Sequence, residues 1–143
     1  MTTLLEAADR LYGLTLPEFT PARDALARRL RAEDRALSER VKSLKKPSTA
    51  GWVINLLVRC DPGQVAQIIS VGAALREAQD SLDGEELRAL TRQRRQLTAA
   101  VTRRARSLAL ERGQKVTTPV ADQVEATLSS TMLDASAGAV VRT

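Results

Sequence analysis

Hydrophobic residues recur at three- and four-residue intervals along this chain, and no stretch alternates as a half-buried strand would. The clearest run covers residues 83–113, DGEELRALTRQRRQLTAAVTRRARSLALERG. Leu87, Leu90, Leu97, Val101 and Leu108 fall on a heptad seam, and Arg94 and Arg104 take its two remaining positions. The spacing predicts one long helix over about 84–112. Asp83 is placed to cap it, and Glu86, three residues on, to reach back to the N–H of residue 83. Gly113 supplies the stop.

Shorter periodic runs lie on either side. Leu4–Tyr12 reads as a helix with Thr3 and Glu6 as a capping box and Gly13 as its stop. Pro17 predicts a connector through LTLPEF, and Thr20-Pro21 a fresh helix start. Residues 21–44 are one bent helix or two; the lapse in the apolar stripe at Ala32–Arg35, with Asp34 as a cap, favours two. Pro47 and Ser48 open a helix over about Thr49–Cys60 whose Val53, Leu56, Leu57 and Cys60 share a face. Asp61-Pro62 opens the next, about Pro62–Ser81, with Asp61 as cap. It has no charge before Arg76 and should be the most buried. Thr118-Pro119 starts a last helix with Val120, Val124, Leu128 and Met132 at four-residue spacing, ending near Leu133. Residues 134–143 read as a last turn or a frayed end. The expected fold is an all-α, single-domain helical bundle of six or seven helices over 1–143, with Thr49–Ser81 and the long basic helix at its centre.

Composition narrows the chemistry. The 143 residues are 43% hydrophobic but 2% aromatic, so the core must be Leu, Val, Ile and Ala. The net charge is +5, which favours nucleic acid, an anionic surface or an acidic protein as partner. There is no histidine, which removes the commonest general base and metal ligand. The single cysteine, Cys60, excludes an internal disulfide and fits a reducing compartment; with no signal peptide pattern and no apolar run of membrane-spanning length, the expected location is cytoplasmic, with no membrane partner. No phosphate loop, dinucleotide fingerprint, metal spacing or catalytic carboxylate pair is present, so the expectation is no enzyme, no catalytic residue, no cofactor and no metal.

Between Arg88 and Arg112 the long helix holds eight arginines against one acid, Glu111. Arg92, Arg95, Arg103 and Arg106 form a second stripe, a candidate nucleic-acid-binding surface, with Arg23, Arg28, Arg29, Arg31 and Arg35 as further members. Guanidinium forks suit phosphate oxygens, and no aromatic platform accompanies them, so contact with the phosphate backbone is expected rather than base stacking. The competing reading is a solvated face whose arginine stems cover apolar neighbours. Arg94 and Arg104 are expected to pair with acids such as Asp9 or Glu6, or to mark the seam's edge. Lys45 and Lys46 precede a helix N-terminus at Ser48 and Thr49, a second candidate anion site; its competing reading is a capped helix with two solvated lysines. Leu37–Leu57 has helix-turn-helix proportions, but its second helix offers only Thr49 and Asn55 to a base edge and is discounted. Trp52, near Asn55, reads as a core filler with a bonded N–H before it reads as a binding anchor, and Cys60 as a small buried hydrophobe.

The stretches LYGLTLPEFTPARDALA, VKSLKKPSTAGWVINLL and LTRQRRQLTAAVTRRARSLA, taken together, resemble a family of uncharacterised helical proteins from high-GC Gram-positive (actinobacterial) bacteria. That family carries LYGL–EFT–AR, LRKPS–W–N and QRR elements in the same order. The resemblance covers about Leu11 to Arg106 and implies no activity. Because such proteins run on further, it implies that 1–143 is the N-terminal part of a longer protein. Two functions follow from the residues themselves: a non-enzymatic nucleic-acid-binding module that reads the phosphate backbone, or a protein-interaction or regulatory module whose long helix is a docking or homodimer seam.

Overall fold

The computed structural model describes residues 2–133 and is all-α, with seven helices and no strand among the described residues. In chain order these are α1 (Leu4–Tyr12), α2 (Leu16–Leu30), α3 (Arg35–Lys42), α4 (Thr49–Cys60), α5 (Pro62–Ser81), α6 (Gly84–Glu111) and α7 (Thr118–Leu133). The expected last turn or frayed end over 134–143 lies outside the described residues. The described chain divides at Trp52/Val53 into two compact units.

In the N-terminal unit, α1, α2 and α3 enclose Ala7, Leu11, Phe19, Leu26, Ala27, Leu30, Leu37 and Val41. Tyr12 and Phe19 stack with ring centroids 5.1 Å apart. Helix α2 begins earlier than the prolines suggest. Pro17 sits in its first turn, where a missing N–H costs nothing, and the Glu18 carboxylate accepts from the Thr15 N–H and hydroxyl. Pro21 is therefore inside the helix, and Thr20 is not its cap. Residues 21–44 do form two helices. The Asp34 carboxylate accepts from the Leu37 N–H at 3.0 Å and starts α3.

Three side-chain donors fasten the backbone within this unit. Tyr12 Oη–H donates to the Lys45 carbonyl at 2.9 Å, and Arg23 Nη1 to that of Leu44 at 3.0 Å. Trp52, 3% exposed, donates its indole N–H to the Leu14 carbonyl at 2.8 Å. Each satisfies a carbonyl that no helix uses.

In the C-terminal unit, α5, α6 and α7 pack together through non-aromatic apolar side chains: Val65, Ile68, Val71, Leu75 and Ala78 from α5, Val101, Ala105, Leu108 and Ala109 from α6, and Ala121, Val124, Leu128 and Met132 from α7. Helix α5 is buried along one side rather than all round, because Ala66, Gln67, Ser70 and Ala73 face outward; α4 buries a larger share of its length. Helix α6 starts as expected, with Asp83 accepting from the Glu86 N–H at 3.1 Å. The reciprocal contact does not form: the Asp83 N–H donates to the Ala78 carbonyl instead. Gly113, at φ +78°, supplies the left-handed residue that ends the helix.

The tightest approach is between α5 and α7 at Gly72. A Cβ there would lie 2.5 Å from the Met132 carbonyl oxygen and 2.7 Å from its Cα. Both are backbone atoms and cannot swing away. Gly72→Ala should therefore destabilise the protein by about 1–3 kcal/mol through overpacking, although Ala is favoured over Gly in a helix by roughly 1 kcal/mol. Gly84→Ala, whose added Cβ meets nothing nearer than Arg88 Nη1 at 3.8 Å, should be neutral or stabilising. Urea denaturation of the two variants checks the contrast; equal midpoints would remove the close approach as a constraint.

Candidate nucleic-acid interface

The arginine stripe on α6 is built by helical spacing. Positions 88, 92, 95, 99, 103 and 106 advance by three or four residues and so stay on one flank of the helix. Arg88, Arg92, Arg95, Arg103 and Arg106 are all exposed, and the half-buried Ala99 interrupts the row. At about 1.5 Å per residue, Arg88 to Arg106 spans roughly 27 Å. The acids of α6 stand at its two ends, Glu85 and Glu86 in the first turn and Glu111 in the last. Arg88 extends the stripe beyond the four arginines read from the sequence. Its four-residue spacing to Arg92 is the signal that places it there.

The stripe is not uniform in what its arginines do. Arg106 Nη2 donates to the Val116 carbonyl at 2.8 Å and so ties α6 to the segment before α7. Arg88, Arg92, Arg95 and Arg103 form no ion pair among the described residues. Their guanidinium groups are free donors on a flank whose one acid, Glu85, stands at its N-terminal end.

The other arginines of α6 are differently placed. Arg104 Nε faces the Asp61 carboxylate at 3.5 Å. The Asp61 side chain makes no capping hydrogen bond at the α5 N-terminus. Arg94 is half-buried at the edge of the packed face. Arg112, just past the helix, donates to the Leu108 carbonyl at 3.4 Å and to Cys60 Sγ at 3.2 Å. Cys60 is exposed rather than buried, because the apolar face of α4 ends at Leu57.

The packed face of α6 is confined to its second half. Thr98, Val101, Thr102, Ala105, Leu108 and Ala109 are buried, and nothing before Thr98 is. Leu87, Leu90 and Leu97 are half-buried. The hydroxyls of Thr91, Thr98 and Thr102 donate to the carbonyls four residues back, at 2.8, 2.5 and 2.8 Å. Buried threonines on this helix are thus satisfied internally and offer nothing to a ligand.

The second candidate, Lys45, Lys46, Ser48 and Thr49, lies in the N-terminal unit. Both lysines are exposed. Ser48 Oγ accepts from the Gly51 N–H at 3.1 Å, so the cap is occupied from within the chain. These residues are separate from the α6 stripe in sequence and in unit. Helix α4 has Ala50, Trp52, Val53, Leu56 and Leu57 buried, and Thr49 and Asn55 are half-buried.

One cluster around Asp24 was not singled out in the sequence. Arg23 Nε lies 3.1 Å and Lys42 Nζ 3.3 Å from its Oδ1. The Arg23 hydrogen bond leads in holding the Asp24 carboxyl below its ordinary range; burial opposes it, and Lys42 adds to the lowering. The ionised form is the favoured one. The resulting stabilisation is present above the ordinary carboxylate range and is lost as pH falls through the lowered value. Arg23→Gln should move the Asp24 titration midpoint upward in carboxyl-detected NMR; an unmoved midpoint would transfer the effect to Lys42.

No helix among the described residues is long and apolar enough to cross a membrane. Comparison with protein-family models, with curated proteins and with solved structures finds no match for this chain.

Proposed function

We propose that this protein is a non-enzymatic, cytoplasmic nucleic-acid-binding module that contacts the phosphate backbone through the arginine flank of α6. The observation that carries the reading is the set Arg88, Arg92, Arg95 and Arg103: exposed, on one flank, and unpaired with any acid among the described residues. Arginine forks match phosphate oxygens, and a row of them on a rigid helix displaces counterions without reading bases. Arg106 belongs to the row by position, but its bond to Val116 also makes it structural.

Binding of duplex DNA and of structured RNA should therefore be measurable by fluorescence anisotropy and fall steeply with salt. Each phosphate contact adds about 0.9 to the slope of log K against log salt on duplex DNA, so Arg92→Gln, Arg95→Gln and Arg103→Gln together should lower the slope by roughly 3. No binding at about 50 mM salt, where such contacts are strong, would refute the proposal.

A second reading rests on the first half of α6, which buries no residue and leaves Leu87, Leu90 and Leu97 half-covered. On that reading the helix is a docking or homodimer seam. Sedimentation velocity then distinguishes the two: a dimer lost in Leu90→Lys would support the seam, and a monomer that binds DNA would support the phosphate-reading surface.

A further inference from the structure

The α2–α3 hairpin carries a charged cleft of about 300 Å³ that the α6 stripe does not explain. Helix α2 lines it with Asp24, Ala27 and Arg28, and Arg31 follows at the helix end. Helix α3 lines it with Arg35, Ser38, Glu39 and Lys42 at the same helical spacing. The Ser38 hydroxyl donates to the Ala27 carbonyl at 2.5 Å, so these two residues join across the cleft and leave no free hydroxyl.

The charges in this cleft do not cancel. Asp24 is countered by Arg23 and Lys42, which occupies the Lys42 ammonium group. Glu39 faces Arg35 at 3.8 Å, with both side chains mostly exposed, so that pair is weak and easily exchanged. Arg28 and Arg31 have no acid partner among the described residues. The lining is therefore close to neutral beside Asp24, and Arg28 and Arg31 are its cations without an acid partner; Glu33 and Asp34 stand in the turn but do not line the cleft. Two guanidinium groups one turn apart, with a third on the facing helix, offer donors from two sides of one concavity. A tetrahedral phosphate can accept from several directions at once, which suits this arrangement.

We propose that the α2–α3 cleft is a binding site for a phosphate-bearing ligand, a phosphomonoester or diphosphate group, held by Arg28 and Arg31 with Arg35 in support. Its volume is at the lower end of small-ligand pockets and gives room for a diphosphoryl group. The site is distinct in sequence and in unit from the α6 arginines and does not depend on them.

The test uses the whole chain and inorganic pyrophosphate, followed by calorimetry and by amide NMR shifts around Ser38. Saturable binding should weaken by about tenfold or more in the double variant Arg28→Gln, Arg31→Gln. It should be unchanged in the triple α6 variant. Both arginines are exposed and bond to nothing that holds the hairpin, and an unchanged far-UV spectrum checks that the variant folds; Arg31→Gln alone provides a milder version. No saturable signal at millimolar pyrophosphate, or equal affinity in the double variant, overturns the proposal. Competition then identifies the source of the phosphate: displacement by duplex DNA assigns it to a nucleic-acid backbone, and displacement by a nucleoside monophosphate alone to a free small ligand. If DNA binding fails while pyrophosphate binding persists, the α6 reading falls and this site stands.

Discussion

The contact of Gly72 with the backbone of Met132 sets the arrangement of the C-terminal unit. A core without large aromatic fillers can reach interior density only if its helices come close together. Here Ala78, Ala105, Ala109 and Ala121 supply small surfaces, and Gly72 removes even the methyl group where α5 meets α7. Arg76 then donates to the same Met132 carbonyl at 3.2 Å, so one guanidinium satisfies an acceptor near the end of α7. The head of a charged residue and the absence of a side chain act on one point of the fold.

Docking α7 in this way helps to decide what α6 can offer. The second half of α6 is packed, and its first half is left with half-covered leucines and exposed arginines. Within the unit the arginines divide their work. Arg76, Arg104, Arg106 and Arg112 bond to carbonyls, a carboxylate or a thiol and hold segments in place. Arg88, Arg92, Arg95 and Arg103 bond to none of these among the described residues, and their charge faces outward. The functional proposal rests on that division rather than on the number of arginines.

Much of the fold is legible in the sequence because its signals are local. Thr3, Asp34, Ser48 and Asp83 all accept from a backbone N–H three residues on, the bond their positions predict. Where the reading differs, two signals competed for one residue. Pro17 suits both a connector and a first helical turn, and the Glu18 bonds to Thr15 decide for the turn. Asp61 stands in a capping position, yet its carboxylate faces Arg104, distant in sequence, and makes no capping hydrogen bond. Cys60 follows the apolar period of α4, but that face has run out by the last turn. The arginine stripe could be read from spacing alone, since a helix turns regular intervals into a flank. The α2–α3 cleft could not, because it arises from two helices whose crossing no interval specifies. Its free arginines emerge only once Lys42 is seen beside Asp24.

The stacked Tyr12 and Phe19 and the buried Trp52 carry a consequence of a different kind. They are the only aromatic residues of the chain, and all three precede Val53. Intrinsic fluorescence and near-ultraviolet dichroism therefore arise from the N-terminal unit alone, while the stretch from Val53 onward is optically dark. Far-ultraviolet dichroism sees the helices of both. A melt followed at two wavelengths is thus a two-channel recording in which the chain labels one unit with its own chromophores, and coincidence of the channels becomes a direct measure of whether the two units unfold as one.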